Sequence, residues 1–88
     1  MATYVVSYDL TRPGQNYPGL TKYLDSLNGG RIQQSVWVVS TSLTASQLHD
    51  AVNQHLDKTD KLFVLKSGRE AAWTGLTPAW DKWLQDNL

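Results

Sequence analysis

The run Tyr4-Val5-Val6-Ser7-Tyr8-Asp9 is β-branched and aromatic, and it stops on a carboxylate that leads into Thr11-Arg12-Pro13-Gly14-Gln15. Such residues favour the pleated, half-buried surface of a sheet, and the Pro/Gly loop after them ends the strand. A first strand over residues 3–9 is predicted, with Asp9 at a sheet edge. An acid in that place either binds something, often a metal, or caps the chain. Both uses stay open at this point.

The rest of the chain alternates between strand and helix signals. Asn16 has the chemistry of an N-cap. Tyr17 and Pro18 then start a helix with Leu20, Tyr23, Leu24 and Leu27 at i, i+3, i+4, i+7 spacing and Gly29 after its last turn. Residues 31–34 and 35–41 read as one long strand or two short ones, with Val36-Trp37-Val38-Val39 the strongest β signal. Thr44-Ala45-Ser46-Gln47 fits a capping box ahead of Leu48, Val52 and Leu56 at four-residue steps, and Asp57-Lys58-Thr59-Asp60 makes a polar exit into a strand over 61–66. Thr77-Pro78 reads as N-cap and first position of a short closing helix with Trp80, Trp83 and Leu84 on one face, and Ala71-Ala72-Trp73 as a small edge strand. This order predicts an α+β fold: one ferredoxin-like βαββαβ sandwich over residues 1–88 with an extra short C-terminal helix.

Both faces of the predicted sheet are apolar. Val5 lies opposite Val6, Val36 and Val38 opposite Trp37 and Val39, and Leu62 and Val64 opposite Phe63 and Leu65. Two helices shield one face, so the other needs the Trp-rich C-terminal helix or a second protomer. A chain of 88 residues buries only about 60–65% of its unfolded surface, and extra burial through association would help it. A homodimer with two-fold symmetry is the expected solution.

Charge and composition narrow the partners. Eight acidic and eight basic side chains cancel, so any nucleic acid would be held by a weak or local basic patch rather than by an overall surplus. The absence of cysteine excludes disulfides, thiolate metal sites and a Cys nucleophile. No charged and apolar leader stands at the N-terminus and no run of about 18 apolar residues exists, so a soluble, cytoplasmic protein with no membrane partner is expected.

The pattern Val-x-Tyr-Asp-Leu, a Leu-rich helix ending in Gly, and Arg31-Ile32-Gln33-Gln34-Ser35-Val36-Trp37 resembles the Cas-two family of CRISPR adaptation proteins. It is still more similar to their SinR-like relatives, which share the Pro-containing loop after Tyr-Asp-Leu, a Ser-Val-Trp strand running into a Ser/Thr-rich turn, and a strand start like Asp57-Lys58-Thr59-Asp60-Lys61-Leu62-Phe63-Val64. The resemblance spans about residues 3–66. It implies a ferredoxin-like homodimer, in some members a divalent-metal-dependent endonuclease, related to the VapD-type ribonucleases. Asp9 matches the strand-end aspartate placed near the dimer axis. Two departures stand out: Val38 replaces a common Glu, and the chain is neutral where DNA-bridging members are basic.

On this reading Asp9 is the candidate catalytic and metal-binding residue. Mg²⁺ takes hard oxygen ligands and keeps several waters, so one Asp9 from each protomer could hold it and leave water positions for phosphodiester hydrolysis of RNA or DNA. Arg12, Arg31, Ser35 and Tyr8 are the candidate substrate-binding residues, the guanidiniums for phosphate and the hydroxyls for its oxygens. The alternative is a non-enzymatic dimeric interaction or scaffold module. There Asp9 forms a structural turn cap, Tyr8 packs, Arg31 is solvated, and Arg12 belongs to an ordinary strand-to-helix loop. His49 and His55, six apart, are surface residues by spacing, and no P-loop or hydrolase elbow is present. The tryptophans read as core or interface anchors.

Overall fold

The computed structural model describes residues 1–11 and 17–88. Strands β1 (Ala2–Asp9), β2 (Asn28–Gln33), β3 (Val36–Thr41) and β4 (Lys61–Lys66) alternate with helices α1 (Pro18–Asp25), α2 (Ala45–Asn53) and α3 (Pro78–Asn87) in the order β1 α1 β2 β3 α2 β4 α3. The strands form one sheet, β2-β3-β1-β4, and each neighbouring pair runs antiparallel. Among the described residues the chain is a small α+β protein with a four-stranded antiparallel sheet and three helices. That arrangement is compatible with the expected ferredoxin-like class.

The core follows from the period of two along β1 and β3. Tyr4, Val6 and Tyr8 leave one side of the sheet beside Trp37 and Val39, and Leu20 and Leu24 of α1 and Leu48 and Val52 of α2 pack onto them. All are buried. Truncating Leu24 or Leu48 to Ala removes apolar contact and leaves a cavity, a loss of about 2–5 kcal/mol that is large for a domain this small.

Helix α2 starts where the sequence places it, and the N-cap of α1 is Tyr17, one residue after the expected Asn16. Thr44 accepts a bond from the Gln47 backbone amide at 3.1 Å, and the Gln47 side chain accepts one from the Thr44 amide at 2.9 Å, so the capping box is complete. Pro18 occupies the first turn of α1, with Tyr17 in the N-cap position. The expected cap Asn16 lies outside the described residues.

The second face is only partly covered. Thr3, Val5 and Ser7 of β1 share it with Val36 and Val38 of β3 and with Phe63 and Leu65 of β4, as the strand register requires. Helix α3 lies over one part: Leu84 is buried, Val38 beneath is buried, and the Thr3 hydroxyl donates to the Asn87 carbonyl at 2.6 Å. Thr77 caps α3 by accepting from the Trp80 amide, as its sequence predicts. The other part is open, leaving Phe63 60% and Leu65 53% exposed.

Several boundaries differ from the sequence reading. Helix α1 ends at Asp25, so Leu27 packs against the core from beyond the helix, and Leu56 does the same after α2. Gly29, read as the residue after the helix, belongs with Gly30 to β2, which begins at Asn28 rather than Arg31. At Gly29 φ is +136°, and a Cβ there would meet the Val38 carbonyl across the strand pair. The strand signal at 31–41 resolves into two strands joined by a turn at Gln34 and Ser35. No strand forms at Ala71-Ala72-Trp73. That segment is held instead by the Trp73 indole donating to Asp81 of α3 at 2.6 Å.

Candidate functional site

Asp9 ends β1 and is exposed. Its register partner on β4 is Lys61, and strand alternation puts both on the same face as Ser7 and Phe63. The carboxylate therefore sits at the end of the open half of the second face. Among the described residues no group of three or more His, Asp or Glu side chains gathers to hold a metal.

The other candidates lie elsewhere. Tyr8 points into the helix-covered core, where its hydroxyl accepts a hydrogen bond from the Trp37 indole at 3.0 Å. The Arg31 guanidinium stacks over the Trp37 ring, 5.0 Å from its centroid, and Arg31 and Trp37 are register partners on the β2–β3 pair. Ser35 is half-buried in the β2–β3 turn, and its carbonyl accepts from the Tyr8 amide at 3.1 Å. Tyr8 and Arg31 thus meet at Trp37, Ser35 joins only through its backbone bond to Tyr8, and the Asp9 side chain leaves the opposite side of the sheet. Arg12 lies outside the described residues.

One residue the sequence reading left in a polar exit has a larger part. Asp60 accepts from the Thr11 amide at 2.9 Å and from the Thr11 hydroxyl at 3.0 Å, and its other oxygen accepts from the Asp57 amide at 2.8 Å. The Thr11 amide above all, with the Asp57 amide and the hydroxyls of Thr11 and Tyr17, holds this carboxyl below the usual aspartate value against some desolvation. Asp60 ties the chain just after Asp9 to the turn before β4. The signal was the Asp-x-x-Asp spacing, which suits an Asp that folds back on its own turn.

The histidines do not pair. His49 lies beside Asp50 at 3.1 Å on α2, and His55, beyond the end of α2, stacks on Tyr23 with ring centroids 5.7 Å apart. Trp80 and Trp83 meet edge to face at 5.6 Å, and Trp80 lies over Gly30. Among the described residues no helix is long and apolar enough to cross a membrane. No protein-family model and no solved structure matches this chain.

Proposed function

We propose that the chain is a ferredoxin-like, homodimeric interaction module of the Cas-two/SinR-like kind, whose two copies meet through the half of the sheet that α3 leaves open. The observation that carries this reading is the exposure of Phe63 and Leu65 side by side on that half-face. Burying a large apolar side chain contributes about 1.5–3 kcal/mol, so two of them with half-buried Val36 favour association. Light scattering across a concentration range tests it: the wild type should approach twice 9.9 kDa and Leu65→Asp should stay at 9.9 kDa. Equal masses for both proteins would overturn the reading.

A second reading is favoured by the position of Asp9. The carboxylate is exposed on the same face as Phe63, so a dimer closing there could bring two Asp9 side chains to one rim, where their hard oxygens suit Mg²⁺. Bound there, the metal would supply an activated water for phosphodiester hydrolysis. The chain's own part would be to hold the metal and, through Lys61 beside Asp9, to attract phosphate. Cleavage of labelled single-stranded RNA and duplex DNA with Mg²⁺ or Mn²⁺ decides it. Activity lost in Asp9→Asn supports the nuclease, and equal or absent cleavage in both proteins leaves the interaction module.

A further inference from the structure

A cavity of about 530 Å³ opens on the same sheet face as Phe63. Val5 and Val38 lie at its sheet side, Leu84 and Leu88 at its C-terminal helix side, and Ala71 and Ala72 across from them. Among the described residues every side chain lining it is uncharged. The segment over it presents two alanines where larger side chains would fill the space. The bond from Trp73 to Asp81 fixes that segment in place, so this wall is preorganised. The lining is mostly apolar, with Gln33 and Thr74 as its polar members, and the volume exceeds the about 150 Å³ that admits benzene, so a phenyl ring has room to enter.

The projecting aromatic stands on the same surface. Val5, at the cavity, is the register partner of Leu65, and Ser7, two residues on, is the partner of Phe63. Hole and projection are therefore parts of one continuous face of one chain. We propose that Phe63 of each protomer inserts into this cavity of the other. The inference rests on the homodimer reading and adds to it the contact that sets its geometry.

A second copy is the occupant for three reasons. A two-fold axis lying in the interface plane, between the projection and the hole, sets each Phe63 over the partner's cavity, so both holes fill in one closed assembly. The cavity offers an uncharged lining and Phe63 is an uncharged ring, whereas a phosphate or other anion would find no cation there. At the rim, Asp9 and Lys61 are register partners of opposite sign, which makes that edge self-complementary, and a net charge of zero leaves no overall repulsion between copies. An aromatic ring inside a desolvated pocket is also where interface residues contribute most.

The test is complementation between two variants, Phe63→Ala to remove the projection and Ala72→Trp to fill the hole, with far-UV circular dichroism to confirm folding. Ala72 is exposed, so the larger side chain enters without displacing core. Each variant alone should dimerise about tenfold or more weakly than wild type by analytical ultracentrifugation. Mixed in equal amounts, they should form a heterodimer in preference to either homodimer, because Phe63 of the Ala72→Trp protomer finds the intact hole of the Phe63→Ala protomer. A wild-type dimer unaffected by Ala72→Trp, or variants that do not complement, would overturn the insertion and leave the dimer standing. A monomeric wild type would overturn both.

Discussion

The indole nitrogen of Trp37 donates to the hydroxyl of Tyr8 at 3.0 Å, joining β3 to β1 inside the helix-covered core. Trp37 is 2% exposed and Tyr8 7%, so neither group has ready access to water. The guanidinium of exposed Arg31 stacks over the same ring. Two polar residues that the sequence offers to a phosphate, Tyr8 and Arg31, are thereby engaged by one tryptophan.

Removing the acceptor should leave the Trp37 N–H buried and unpaired. Tyr8→Phe is expected to cost about 1–3 kcal/mol, read as a lower urea midpoint at unchanged slope. An unchanged midpoint would mean that the indole finds another partner.

Asp60 predicts a pH dependence. Its folded carboxyl binds a proton less readily than the unfolded one, so its contribution to stability is complete above the usual value of 3.8 and is lost as pH falls through the lower folded value. Asp60→Asn removes this contribution at neutral pH, so the gap in melting temperature between wild type and variant should be open at pH 6 and should narrow below pH 3.8. A gap that does not change with pH would assign the effect of the substitution to lost hydrogen bonds alone.

Gly29 and Gly68 make a contrasting pair. Gly29→Ala puts a methyl against the Val38 carbonyl at a φ of +136° and should destabilise by more than about 1 kcal/mol. Gly68→Ala meets nothing within 4 Å and should change stability by less than about 0.5 kcal/mol. Equal effects in denaturant melts would contradict the placement of Gly29 in β2.

The elements with strong local signals were legible in the sequence. Thr44 to Gln47 announced α2, Thr77-Pro78 announced α3, and the β-branched and aromatic run from Tyr4 announced β1, because caps and strand signals are written in neighbouring residues; both faces of β1 read as apolar, so which one the helices cover was not legible. Gly29 was misread because a glycine after a Leu-rich helix looks like a helix end, and only the approach of β3 reveals why β2 needs it. Ala71-Ala72-Trp73 was misread as a strand because its hold on α3 is a side-chain bond from Trp73 to Asp81, to which spacing is blind. The candidate site was legible as residue types but not as an arrangement. Asp9 and Tyr8 are neighbours in sequence and leave opposite sides of the sheet, and the tie from Asp60 to Thr11 spans residues that only the fold brings together.

Association through the open half-face is the claim on which the functional reading depends, and sedimentation equilibrium of the wild type beside Phe63→Asp tests it most directly. The wild type should show a mass near twice 9.9 kDa, and the variant a mass of 9.9 kDa with a far-UV circular dichroism spectrum matching the wild type, because Phe63 is 60% exposed in the single chain. A wild type that stays at 9.9 kDa up to high micromolar concentration, or a Phe63→Asp protein that still dimerises, would contradict it.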